Sequence, residues 1–529
     1  MKATYIDYSE TNSFSKTLIA YLNQDEALVP FIGNWPTFAG FEKQINEKKP
    51  FLSRTLLVDR LKAQYGDLLE SAPHVAANID KLLADNAYTI TTGHQLNIFT
   101  GPLYFIFKII TAIRLADDLK VKFPEKEFVP VYWMATEDHD FAEINHTKLS
   151  GKKIVWDTPA VSATGRMDTD SIVQAVKQYT GVLGLSEHSC KLACIVENAY
   201  LKHDNLADAT RYLVHELFKK FGLLIIDADD KALKTVFKPI ITEDILTEKS
   251  FKAIEETSES LEKAGFATQV HAREINFFYL TDEFRERIVL NADGRYEVLH
   301  QDIYFTKAEL EKEIDTYPER FSPNVVMRPM YQEIILPNLA YIGGGAEMVY
   351  WMQLKANFDQ YGIDFPILIP RNSAMITEDN VVSKIFRQDL TFKSIFRDSE
   401  ILKKEFVRRQ TKHRLNLNDE WMELNAIFGK IKLRTHKIDS SLSPSTEAIK
   451  ARLKKAINNL EKKLMRAEKR NHKDALSNID HIKERLFPGG GLQERSENFG
   501  LLYVKYGDTL FDELYKHFNP LDFKFTILY

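Results

Sequence analysis

Residues 87–119 read AYTITTGHQLNIFTGPLYFIFKIITAIRLADDL. Ala87 to Thr92 is short, apolar and β-branched, as a buried strand requires. From Leu103 to Leu119 the apolar residues Phe107, Ile110, Ile113 and Leu115 recur at helical spacing, with Thr100 the expected N-cap and Pro102 in the first turn. A second apolar run, FVPVYWMA at Phe128 to Ala135, follows. Strand, helix and strand make a βαβ unit, for which a right-handed crossover in a parallel sheet is favoured. Both strands then end on one edge, where open α/β sheets bind their ligands, so TTGHQ and TEDHD become neighbours.

Working outward, GLLIID (Gly222 to Asp227), NLAYI (Asn338 to Ile342) and FPILI (Phe365 to Ile369) are further strand candidates, each leading into polar or glycine-rich sequence. Gly151 to Leu206 and Phe266 to Glu319 break the alternation and read as insertions, the second as strands around a turn at Asn291 to Gly294. After about Glu400, Trp421, Leu424, Phe428, Ile431, Thr435 and Ile438 alternate spacings of three and four. Leu453, Ile457, Leu460, Leu464 and Ala467 do the same beyond SSLSPS, which predicts an antiparallel coiled-coil hairpin.

The 529 residues are 44% hydrophobic, enough for a large core and more than one domain. No long uncharged apolar window and no signal-like amino terminus occurs, so a cytoplasmic chain is expected. A net charge of −5 gives no general attraction to nucleic acid or anionic membrane. Between Lys450 and Arg485 basic residues outnumber acidic ones by about two to one, the pattern of a solvated helix face or a nucleic-acid patch. Cys190 and Cys194 exclude a disulfide scaffold and match no zinc spacing; two small side chains packed in a reducing compartment are expected.

Four constellations carry candidate chemistry. Gly93 lets the chain leave the strand sharply, placing His94 and Gln95 near a helix start that favours anions; a nucleotide or carboxylate site and a capped loop are both open readings. Thr136 to His146 crowds Glu137, Asp138, Asp140 and Glu143 around His139; recognition of an ammonium group, Mg²⁺ binding, a basic side chain or proton transfer by His139 would answer the repulsion, and a solvent-exposed acidic loop is the other open reading. Gly343, Gly344 and Gly345 permit close backbone approach, Glu347 suits a helix start, and upstream Arg328, Tyr331 and Gln332 offer a carboxylate contact or a structural ion pair. Arg371, Asn372 and Ser373 follow the last strand, with Ser383 and Lys384 beyond. No dinucleotide fingerprint, Walker A sequence or nucleophile elbow occurs.

The segments TTGHQLNIFTGPLYFIFKIITAIRLA, VPVYWMATEDHDFAEINH, RPMYQEIILPNLAYIGGGAEMVYWMQLK, FPILIPRNS and LQERSENF together resemble the cysteine ligase family of bacillithiol biosynthesis, BshC. The resemblance implies an α/β, Rossmann-like parallel-sheet core related to class I aminoacyl-tRNA synthetases, with connecting-peptide insertions and a coiled coil for homodimerisation. The boundaries drawn on it are 1–150 for the first half of the core, 151–210 for a connecting insertion, 211–265 for core continuation and 266–320 for a second insertion. They continue with 321–388 for the second half of the core, 389–487 for the coiled coil and 488–529 for a segment returning to the core.

The implied reaction adds L-cysteine to the amine of glucosaminyl-malate, with ATP as the expected activator, with or without Mg²⁺; ADP is a further possible ligand, and no tightly bound metal, nucleic acid or membrane is expected. Gly93, His94 and Gln95 occupy the place of the synthetase HIGH signature, with one of its two histidines. The Arg371 stretch, Ser383 and Lys384 stand where a KMSKS loop is expected, without spelling it. The resulting assignment makes His94, Gln95, Glu137, His139 and Asp140 catalytic. It makes Thr136, Arg328, Gln332, Gly343, Gly344, Gly345 and Glu347 substrate-binding, and Gly93, Arg371, Asn372, Ser373, Ser383 and Lys384 nucleotide-binding. A metal-dependent hydrolase built on TEDHD and His146, and a scaffold or RNA-binding protein built on the basic coiled coil, are the alternatives.

Overall fold

A computed structural model describes residues 1–51, 53–160, 162–411 and 414–529. Five parallel strands form the core: Ala87–His94, Glu127–Met134, Leu224–Asp227, Asn338–Gly343 and Ile367–Pro370, called the first to fifth core strands. Their spatial order is fifth, fourth, first, second, third. This is the Rossmann order, and its direction reverses between the first and fourth strands. The first strand pairs with the second from Ala87↔Glu127 to His94↔Met134, so their carboxyl ends lie level.

The strands are near-continuous apolar runs because helices cover both faces of a parallel sheet. Ile90, Ala340, Ile342, Ile367 and Ile369 pack against Ala112, Leu115, Ala116 and Leu119 of helix Tyr104–Lys122, and against Phe41 and Ile45. Leu115 and Leu119 are fully buried, each stabilising the fold by roughly 1.5–3 kcal/mol. The buried threonines are satisfied: the Thr91 hydroxyl donates to Asn338 Oδ1 at 2.8 Å and that of Thr92 to Ile342 O at 2.9 Å.

The loop into that helix departs from expectation. Thr100 is not the cap; the helix begins at Tyr104, Pro102 precedes it, and no side chain caps it. Phe99 and Thr100 instead adopt φ of +52° and +69° beside Gly101 at +62°. Asn498 holds this turn by donating to the carbonyls of Phe99 and Gly101, both at 2.7 Å.

The segment between the second and third core strands carries a hairpin, His146–Leu149 with Lys152–Val155, then helices Val173–Leu183, Glu187–Leu201 and Leu206–Phe218. Cys190 and Cys194 lie on the middle helix and are exposed, not packed as expected. The later insertion is an antiparallel sheet ordered Ile303–Phe305, Tyr296–Val298, Arg285–Leu290, Phe277–Leu280, Phe321–Pro323, with the expected turn where Asn291 N bonds Arg295 O and Gly294 has φ +74°.

The chain forms two compact units, one of residues 1–9, 13–375 and 491–528, the other of 10–12, 376–490 and 529. The main span of the helical unit is 376–490. Within it, helices Asn418–Ile438 and Ser443–Asn471 form the hairpin, joined by Lys432–Glu447 at 2.7 Å and by Lys454 over the Trp421 ring. Among the described residues no helix is long and apolar enough to cross a membrane.

Candidate active site

A cavity of about 860 Å³ opens where the first and fourth core strands diverge. Gly93, His94, Thr136 and Glu137 reach it from the strand ends, Gly344, Gly345 and Glu347 from the fourth strand's exit, and Phe277, Phe278, Arg285 and Arg287 from the insertion sheet. Seven cationic side chains line it, Lys108, Arg273, Arg285, Arg287, Arg328, Arg371 and Arg495, against the carboxylates Glu137, Asp138 and Glu347.

His94 ends the first strand, packed on Tyr104 and Phe105. Burial, then the charges of Lys108 and Arg371, push its imidazole down to about 3 against the pull of Glu347, so it is neutral at physiological pH. Its Nε2 is shielded from solvent and has no protein partner among the described residues. Lys108, buried in helix Tyr104–Lys122, donates to Gly93 O at 2.8 Å and pairs with Glu347 at 2.5 Å. Burial depresses the lysine against the attraction of Glu347. Burial alone would raise Glu347, but Lys108 holds it below the usual carboxylate range. Glu347 also accepts from Tyr341 at 2.8 Å and from Gly344 N at 3.1 Å. The amide facing this helix start is therefore already taken by a carboxylate.

Gly93 has a steric reason: a Cβ there would lie 3.2 Å from the Tyr341 hydroxyl and 3.6 Å from Arg328 Nη1. Arg328 thus sits against the end of the first strand. Its guanidinium lies 5.5 Å from the Trp133 ring centre and 5.7 Å from that of Tyr341, and Nη1 donates to Gln332 Oε1 at 3.0 Å. Gln332 is fully buried, does not line the cavity, and donates to Glu333 at 2.9 Å; Asn338 donates to the same oxygen at 2.7 Å. Gln332 therefore anchors Arg328 from behind the cavity wall.

In the TEDHD segment only part of the predicted cluster reaches the cavity. Glu137 pairs with the fully buried Lys234 at 2.6 Å; burial raises its carboxyl and Lys234 opposes the rise. Thr136 donates to Asp227 at 2.5 Å. Gln95 donates to Asp138 at 2.6 Å and Glu143 at 3.0 Å, so basic and amide partners answer the like charges. His139 Nδ1 accepts from Arg285 Nη1 at 2.7 Å, which fixes the proton of the neutral ring on Nε2. His139 and Asp140 are exposed and do not line the cavity.

Arg371 lines the cavity but is paired with the fully buried Glu494 at 2.6 Å. Asn372 and Ser373 are buried and bonded, Asn372 to Thr111 and Asn519 O, Ser373 to Glu494 and Tyr8, and neither lines the wall. Gly343 ends the fourth strand and its carbonyl accepts from Arg371 N at 2.8 Å. Ser383 and Lys384 belong to helix Asp379–Arg387 of the second unit. Sequence reasoning missed Lys108, Lys234 and the arginines of the insertion. A lone lysine in the apolar run FIFKII was a usable signal for the first; the others carry none.

Fold and site together define a class: a Rossmann-like α/β protein whose switch-point cavity is lined by more cationic than anionic side chains. The chain belongs to the BshC family: residues 1–372 match "Bacillithiol biosynthesis BshC, N-terminal Rossmann-like domain" and residues 374–529 match "Bacillithiol biosynthesis BshC, C-terminal coiled-coil domain". It is 41% identical to the "Putative cysteine ligase BshC" of Flavobacterium johnsoniae, covering 100% of both chains, and 40% identical to that of Christiangramia forsetii, covering 100% of this chain and 99% of the relative. The same-named protein of Chlorobaculum tepidum is 28% identical over 98% of this chain and 97% of its own. A crystal structure titled as a putative arginyl-tRNA synthetase from Campylobacter jejuni matches at a TM-score of 0.22 and 12% identity, over 88% of this chain and 98% of that one, too low to carry a comparison.

Proposed function

We propose that the chain joins the carboxylate of L-cysteine to the amine of glucosaminyl-malate, forming the amide of bacillithiol, with ATP as activator. The observation that carries this reading is the switch-point cavity, where an uncharged, unpartnered imidazole and a surplus of arginines meet buried carboxylates in a chain of this family. Condensing a carboxylate with an amine in water is uphill, and ATP, with Mg²⁺ where it brings it, supplies the leaving group. Among the described residues no cluster of three or more metal-ligating side chains occurs. Arg328 and Arg495 are the cavity cations with which phosphate or carboxylate oxygens would pair, and His94 Nε2 offers a neutral hydrogen bond to them.

Arg328, held by Gln332, orients the cysteine carboxylate. Glu137, raised by burial and steadied by Lys234, receives the proton the amine sheds as the C–N bond forms. Gln95 fixes Asp138 beside it, while His139 acts through Arg285. The exposed apolar side chains of the hairpin, among them Ile431 and Ile438, form the face through which two copies pair.

The test is incubation of the purified chain with cysteine, glucosaminyl-malate and ATP, with mass-spectrometric detection of bacillithiol and of AMP against ADP. Product that depends on all three supports the reading, and AMP assigns an adenylate, ADP an acyl phosphate. No amide under any condition contradicts it.

A further inference from the structure

The insertion presents two arginine side chains, Arg287 on its sheet and Arg273 in the loop before strand Phe277–Leu280, that no protein group answers among the described residues. In strand Arg285–Leu290 successive side chains alternate between faces. Glu286 turns to His300 at 3.3 Å, while Arg285 and Arg287 share the face that lines the cavity, with Phe278 registered opposite Arg287. Arg285 is fully engaged: it donates to Ser322 Oγ, Pro323 O and His139 Nδ1 and lies 3.9 Å over the Phe278 ring. The guanidinium groups of Arg287 and Arg273 have no hydrogen-bond or ion-pair partner among the described residues, and both residues line the cavity. Two carboxylates of the wall are already paired, Glu347 with Lys108 and Glu137 with Lys234.

Unanswered guanidinium groups on a cavity wall repel each other and favour an anionic guest. Two separate forks, one on a strand and one in the loop before the sheet, suit two carboxylates taken one by each fork. Clustered phosphates more often sit on successive backbone N–H groups or a helix start, and these two side chains come from neither setting. We propose that Arg287 and Arg273 form a dicarboxylate subsite that holds the malyl arm of the acceptor, leaving Arg328 at the strand ends for the carboxylate to be activated. This rests on the reaction proposed above and assigns its two organic substrates to different parts of the wall.

The test compares the wild-type chain with the R273Q/R287Q variant. Both positions are at least partly exposed, so unchanged thermal unfolding is expected. The variant should raise KM for glucosaminyl-malate about 10- to 100-fold, the span of one or two lost charge-assisted hydrogen bonds, while KM for cysteine and ATP moves by less than about threefold. Calorimetric titration with L-malate alone should show binding to the wild type and none to the variant. A rise in KM for ATP instead would assign the arginines to nucleotide phosphates and overturn the subsite, as would an unchanged KM for glucosaminyl-malate. If the wild type forms no amide at all, the ligase reading fails separately. The L-malate titration then decides alone: binding lost in the variant supports the subsite, and binding absent from the wild type or retained by the variant overturns it.

Discussion

His94 in the cavity wall and Glu333, buried outside the cavity lining, show opposite consequences of burial. His94 is held neutral, so its stabilising contribution is present above the ordinary histidine range and is lost as pH falls from about 6.5 toward 3, where the unfolded chain binds the proton first. A pH–rate profile should therefore show no His94 titration between about pH 5 and 8, and His94→Ala should lower kcat roughly 10²- to 10³-fold without moving the profile. A His94→Ala variant of wild-type kcat would remove the residue from the chemistry. Glu333 is lifted by burial to about 7. Between its unfolded value and that one the folded chain holds the proton more tightly, so stability falls as pH rises through the window. Glu333→Gln locks the neutral form, and from about pH 5 to pH 8 the unfolding free energy should shift in the variant's favour by roughly 3 kcal/mol. Urea denaturation at the two pH values measures it; parallel curves for both proteins would show that Glu333 does not titrate in the fold.

At the scale of elements, the first βαβ unit was legible because its apolar runs carry the right periods, and the level ends of its strands followed from parallel pairing. What hid the loop was tertiary: Thr100 resembles a cap by type, yet the turn is bent into left-handed backbone and held from 400 residues away by Asn498. Asn498 also accepts from Tyr179 at 2.8 Å and Gly500 N at 2.8 Å. Asn498→Ala leaves buried carbonyls and donors unpaired, with an expected loss of about 3 kcal/mol or more in chemical denaturation; a loss under about 1 kcal/mol would show that water or a shifted backbone replaces the clamp. The TEDHD cluster was legible as a charge problem, but which acid faces the cavity depends on Lys234 and Arg285, whose placement no local pattern announces. His139 and Asp140 lie exposed.

For the whole molecule, the parallel core and the coiled-coil hairpin were both readable in advance, whereas the cavity's cationic wall was not, because the arginines of the insertion have no periodic signature and meet the strand ends only in the folded chain. In the hairpin, Ile431 and Ile438 are 40% and 77% exposed, apolar surface that pairing of two copies would cover. Ile431→Asp with Ile438→Asp should shift sedimentation velocity from dimer to monomer while near-ultraviolet dichroism stays constant; a monomeric wild-type chain would contradict the pairing. The central claim, that the switch-point cavity takes the anionic substrates, is tested most directly by a crystal structure of the chain with glucosaminyl-malate bound. The ligand is expected between the ends of the first and fourth core strands and the insertion sheet, with a carboxylate on Arg287 and the amine toward Glu137. Ordered ligand elsewhere, with this cavity filled by water alone, would contradict it.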